Sequence, residues 1–151
     1  MATVKQIGIL LLAAAVLAAV SNLVHPRHIP WMQDWSNQIE EQAAEEGIRI
    51  IPLSDALKSG ALFIDARKHQ EYLEGHIPGA LSVPLATWQD HYMTLGEEVD
   101  AGTEMIVYCS DRTCDLALML AGRLREYLGA DVRLLVDGFV GWTEAGGEVE
   151  R

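Results

Sequence analysis

Apolar positions along the chain fall into one long block followed by a series of short ones. The block, residues 7–24, is apolar on every side and is interrupted only by Gly8 and the pair Ser21-Asn22. As a helix it rises about 27 Å, close to the hydrocarbon thickness of a bilayer. A helix without a polar face has no place on the surface of a small domain. Pro26 and Pro30 then punctuate a linker. Residues 33–46 read as a short polar helix with Trp35, Ile39 and Ala43 at four-residue spacing and an acidic far face turned to solvent. Beyond it, strand-like runs at 48–51, 62–65, 81–83, 105–109 and 132–136 alternate with helical patterns at 54–58, 69–74, 87–94 and 113–128. The last helix is the best marked: Leu116, Leu120, Leu124 and Leu128 form one stripe and Gly129 ends it. Short buried strands separated by helices predict an α/β domain, a mostly parallel sheet covered on both faces.

Length and charge narrow this picture. A chain of 151 residues holds one domain and an appendage. The expected division is a flank at 1–6, a membrane segment at 7–24, a linker with the short polar helix at 25–47 and the domain at 48–151. The 22 acidic residues outnumber 11 basic ones, giving a formal net charge of -11. That balance argues against nucleic acid as a partner and against docking flat on an anionic lipid surface. Two cysteines are too few for a disulfide framework, and no Cys/His cluster has zinc spacing, so no metal is expected.

Two readings of residues 7–24 are open. In one, the segment is a signal anchor that stays in the membrane. In the other, it is a secretory signal in which Lys5 supplies the charged region and Ala19-Val20-Ser21 the small residues before cleavage. Trp31 and Trp35, suited to a membrane–water interface, favour the anchor. Lys5 and the amino terminus oppose Arg27, His25 and His28, so the charge rule for orientation nearly ties. A first hydrophobic segment more often leads the chain outward, which places the domain on the extracytoplasmic side of a single-pass protein.

The chemistry is expected at Cys109. Met105-Ile106-Val107-Tyr108-Cys109 runs straight into Ser110-Asp111-Arg112-Thr113 and then the best-marked helix. In an open α/β sheet, sites form where strand ends meet helix starts. A tight loop there turns backbone N–H groups inward as an anion nest, which gives a cysteine thiolate character. Asp111 and Asp115 oppose that effect. A buried structural cysteine at a strand end is the alternative. His69 and His91 read as surface residues, and Pro78-Gly79 as a turn.

The segments Asp65-Ala66-Arg67, Glu71-Tyr72-Leu73-Glu74-Gly75-His76-Ile77-Pro78-Gly79-Ala80, Val107-Tyr108-Cys109 and Gly138-Phe139-Val140-Gly141-Trp142 resemble the signature motifs of the rhodanese (sulfurtransferase) family. The similarity spans about residues 48–150. It implies a five-stranded parallel sheet with helices on both faces and a persulfide carried on Cys109. The sulfur would come from a small donor, thiosulfate or a persulfide, and pass to a thiol acceptor in a ping-pong reaction, with no cofactor. Asp65, Arg67, Glu71, His76, Gly138 and Trp142 match motif positions whose work is mainly architectural. Two departures stand out. The loop Ser110-Asp111-Arg112-Thr113-Cys114-Asp115 carries Arg112 as its one cation, where many active relatives are richer in glycine and basic residues. Asp137 occupies the place of the first glycine of the closing motif. Asp115 also stands where the phosphatase relatives have a phosphate-clamping arginine, which argues against that activity. Cys114, five residues past Cys109 at the far end of the loop, is either a small first-turn residue or a resolving thiol. Three functions follow: a membrane-tethered sulfurtransferase or sulfur carrier, a catalytically silent docking subunit of a membrane complex, and a Cys109/Cys114 dithiol relay.

Overall fold

The computed structural model describes residues 2–24, 37–99 and 103–151. Trp31, Trp35 and the linker residues His25, Arg27 and His28 lie outside them. The chain divides into two units, Met1–Asp34 and Trp35–Arg151. In the first, helix α1 (Ala2–Val24) contains a 20-residue stretch, Lys5–Val24, long and apolar enough to cross a membrane, with none of it buried in the protein.

The second unit is built on five strands: β1 (Arg49–Ile50), β2 (Leu62–Asp65), β3 (Leu81–Ser82), β4 (Glu104–Tyr108) and β5 (Asp131–Leu135). Their order is β1-β5-β4-β2-β3 and every pairing is parallel. The expected α/β class and five-stranded parallel sheet are what the chain forms. The central strand explains why. Met105, Ile106, Val107 and Tyr108 on β4 are all fully buried, as a strand covered on both faces must be. Met105, Val107 and Cys109 face one layer, with Ile39 and Ala43 of α2 (Gln38–Glu45) and Leu120, Ala121 and Leu124 of α6 (Leu116–Leu128). Ile106 and Tyr108 face the other, with Ala56 of α3 (Leu53–Ala56), Ile77 and Trp142 of α7 (Gly138–Glu144). The remaining helices are α4 (His69–Glu74) and α5 (Trp88–Glu98). Burying each large aliphatic side chain contributes roughly 1.5–3 kcal/mol, so the two layers dominate the fold's stability.

Three local outcomes differ from the sequence reading. Helix α6 begins at Leu116 rather than at 113, because Asp111 and the two cysteines hold residues 110–115 as a loop. Cys114 is therefore ahead of the helix and not in its first turn. At the other end Gly129 closes α6 in the left-handed region at φ 62°, its N–H donating to the Arg125 carbonyl. The closing segment, read only as a motif, is the helix α7. Finally, the acidic face of α2 is not wholly solvated: Glu40 is only partly exposed and bonds into the loop after β4.

Candidate active site

Cys109 is the first residue past β4 and is 2% exposed. Its sulfur is joined to that of Cys114 in a disulfide, with the two Cα atoms 6.1 Å apart. Between them the loop folds on Asp111. The Asp111 carboxylate accepts from the Thr113 hydroxyl at 2.6 Å and the Thr113 N–H at 2.8 Å, and its carbonyl accepts from the Cys114 N–H at 3.2 Å. Those bonds, the hydroxyl's first, hold the Asp111 carboxyl below its ordinary pKa. With the disulfide closed, the Thr113 and Cys114 amides thus both donate to Asp111 within the loop.

Helix α7 clamps the loop from beneath. Phe139 N–H donates to the Cys109 carbonyl at 2.8 Å, and Val140 N–H to the Ser110 carbonyl at 2.9 Å. The approach is close enough to require glycine at 138, which sits at φ 62° with the loop backbone against the space a Cβ would fill. Trp142 lies farther along α7 in the core, its indole N–H donating to the Glu148 carbonyl at 2.8 Å and its ring edge-on to Phe63.

Arg112, the loop's cation, is held between two carboxylates. One Nη donates to Asp137 at 2.5 Å and the other to Glu40 of α2. The hydrogen bond to Asp137 and the nearby charge of Glu40 push its pKa up, fixing the guanidinium in its charged form. Its charge is neutralised locally. Asp115 is exposed.

The remaining motif residues form a framework under the loop. Asp65 is fully buried and is bonded by the Arg67 Nε and N–H, by an Arg67 Nη at 2.6 Å and by the Tyr108 hydroxyl at 2.8 Å. Arg67 also donates to the Gly75 carbonyl at 2.8 Å, and its guanidinium lies 4.2 Å from the centre of the Phe139 ring. Burial works against its charge, but the Asp65 carboxylate outweighs that and raises its pKa. Tyr108 is the joint of the framework: its hydroxyl accepts from the Ile77 N–H at 3.2 Å. Burial first, and then Asp65, push its pKa up, so it stays a donor. Glu71 reaches the loop, its Oε1 lying 3.5 Å from the Ser110 hydroxyl. His76 does not approach Cys109. It stacks on Tyr72 at 3.7 Å and bonds the Tyr72 carbonyl, while its backbone pairs with Glu150. His69 is exposed and hydrogen-bonds Ser82 at 3.0 Å. Gly79 takes a turn at φ 73°.

The site thus gathers Ser110 to Asp115, Glu71, Gly138 and Phe139 around Cys109, and leaves His76 and Trp142 to the scaffold. Sequence reasoning missed Glu40, which no spacing links to Arg112. It also gave Tyr108 and Phe139 no role of their own, although both abut motif residues. A cleft of about 570 Å³ lined by Glu46, Met119, Gly122, Arg123, Arg125 and Glu126 contains none of these residues. Among the described residues no cluster of His, Cys, Asp and Glu has the makings of a metal site.

Comparison with known proteins accords with this arrangement. The HTH-type transcriptional regulator Rv0324 of Mycobacterium tuberculosis is 35% identical over 83 residues, 55% of this chain and 34% of the regulator. The chain therefore spans about a third of that curated relative's length. A thiosulfate sulfurtransferase from Pseudomonas aeruginosa superposes with a TM-score of 0.58 at 29% identity, over 78% of this chain and 23% of that one. The BH2092 protein of Bacillus halodurans gives 0.61 at 25% identity, over 76% and 85%. Residues 52–145, from the start of α3 to the end of α7, match the rhodanese-like domain, and the chain belongs to that family.

Proposed function

We propose that this protein is a sulfurtransferase or sulfur carrier, tethered to a membrane by residues 7–24, that holds sulfane sulfur as a persulfide on Cys109. The observation that carries the reading is the placing of Cys109: it stands at the carboxyl end of the central strand, where the loop held by Gly138 and Phe139 begins. A thiolate there attacks the outer sulfur of a donor, and the donor's remainder leaves. A thiol acceptor then takes the sulfur, regenerating the thiolate. Donor charge matters. With Arg112 already paired to Glu40 and Asp137, and Asp111 and Asp115 nearby, the site suits a persulfide of low charge better than dianionic thiosulfate. Mass spectrometry of the reduced protein after thiosulfate or cysteine persulfide, and again after cyanide, tests the reading. Cys109 should gain the mass of one sulfur atom and lose it to cyanide. No gain with either donor overturns the assignment.

A further inference from the structure

We propose that Cys114 is a resolving thiol, which makes the site a persulfide reductase: it discharges the sulfur on Cys109 as hydrosulfide and leaves the Cys109–Cys114 disulfide as product. The inference rests on the proposal above that Cys109 accepts sulfane sulfur.

The argument starts from which sulfur Cys114 reaches. The two cysteines are bonded through their own sulfurs, with Cα atoms 6.1 Å apart, inside the range that a disulfide spans. Cys114 thus reaches the inner sulfur of a Cys109 persulfide, the one still attached to Cβ. Attack by the Cys114 thiolate forms the bond between the two Sγ atoms and breaks the bond to the outer sulfur. The outer sulfur leaves with the bonding pair as hydrosulfide, taking the proton of the persulfide. Two cysteine sulfurs are oxidised, one sulfane sulfur is reduced, and no further oxidant is needed. An external dithiol then reduces the disulfide by exchange, becoming a disulfide itself.

Local structure supports the step. Cys114 precedes α6, so its movement breaks no helical hydrogen bond, only the one to the Asp111 carbonyl. It is partly exposed, while Cys109 is buried, so an external dithiol meets Cys114 first. Both ends of the loop are held independently of the disulfide: Cys109 and Ser110 by α7, Arg112 by Glu40 and Asp137, and Thr113 by Asp111. The loop therefore keeps the two sulfurs near each other when reduced. A ring closed over so few residues constrains the unfolded chain little, so the bond adds little stability and suits a reversible catalytic link.

The test is a single turnover of the full-length, pre-reduced protein with thiosulfate at high ionic strength, which screens the loop carboxylates. Sulfite counts the first half-reaction and hydrosulfide the second. Wild type should release sulfite and then an equal amount of hydrosulfide, ending with no thiol open to alkylation. Cys114→Ser should release sulfite, no hydrosulfide, and retain the sulfur on Cys109; Cys114→Ala should behave identically, which separates loss of the thiol from a local effect of serine. A wild type that releases sulfite but keeps its persulfide, with Cys114 open to alkylation, overturns the resolving role. So does hydrosulfide release from the Cys114 variants at the wild-type rate. No sulfite from any of the proteins, together with no sulfur gained by Cys109 in the Cys114 variants from cysteine persulfide, instead overturns the reading of Cys109 as sulfur acceptor, and the resolving role falls with it.

Discussion

A Cβ placed on Gly138 would stand 2.7 Å from the carbonyl oxygen of Cys109, nearer than such atoms ever pack. The start of α7 and the start of the active loop are therefore in contact through bare backbone, and the loop's position is set by that contact. Gly138→Ala should displace the loop. The left-handed backbone alone costs about 1–2 kcal/mol for a residue with a Cβ, and the clash adds to it. Thermal unfolding should shift down, and persulfide formation should fall further than stability alone explains. A variant with unchanged Tm and wild-type sulfite release would show that the loop does not depend on this contact.

The framework around Asp65 should be sensitive to loss of either donor. Tyr108→Phe leaves the Ile77 N–H without this acceptor and the Asp65 carboxylate without one donor, which should cost about 1–3 kcal/mol. Arg67→Ala leaves the buried carboxylate without its counter-ion, at about 3–5 kcal/mol. Arg67→Lys should recover only part of this, because an ammonium cannot make the forked bonds to Asp65 and also reach the Gly75 carbonyl. Denaturant unfolding of the three variants checks the order.

Freeing Arg112 should improve the handling of anionic donors. Glu40→Gln combined with Asp137→Asn removes two carboxylates that now neutralise the guanidinium. A carboxylate about 5 Å from a bound anion costs on the order of 1 kcal/mol at an effective dielectric near 60 and about 3 at 20. Each removal should therefore lower the Michaelis constant for thiosulfate by roughly fivefold to a hundredfold, with the gain shrinking as salt rises. An unchanged constant at low salt would mean that Arg112 does not face the donor.

Acid should loosen the loop at Asp111. Its folded-state pKa is depressed below the ordinary 3.8, so its bonds to Thr113 contribute stability above that value. The contribution is lost as pH falls through the lower, folded-state pKa. Amide exchange of Thr113, corrected for its intrinsic pH dependence, should stay slow at neutral pH and rise in that acidic window. In Asp111→Asn, which keeps the acceptor and loses the charge, the acid step should vanish.

The proposed tether has a direct test. The Lys5–Val24 stretch should keep the protein in the pellet on extraction with alkaline carbonate. A soluble mature chain beginning near Asn22 would establish the secretory reading instead.

Much of the scaffold was legible because periodicity and burial agree. The Leu116–Leu128 stripe faces the core, with Leu120 and Leu124 fully buried, and strand β2 occupies the expected positions. The motif residues marked Cys109 as the place to look. Other features arise from contacts that no local pattern encodes. Two glycines in seven residues weaken any helical signal at α7, yet its first turn is held by the Cys109 and Ser110 carbonyls and its end by the burial of Trp142. The start of α6 is set by Asp111 and Cys114 rather than by the leucine stripe. Glu40 lies more than seventy residues from Arg112, so its role required the fold.

Both borders of the sheet are minimal. Strand β1 is just Arg49 and Ile50, and strand β3 just Leu81 and Ser82, each continued by a single backbone bond, from Ile51 N–H to the Leu134 carbonyl and from Val83 N–H to the Asp65 carbonyl. A border strand of two residues offers too short a run of backbone to recruit a strand from another molecule. Arg49, on one of those borders, is further occupied by Asp131. Copies confined to one plane by the proposed anchor would meet at high density, the condition under which long open sheet borders coalesce. This domain's clipped borders would let such a crowd remain a population of separate molecules.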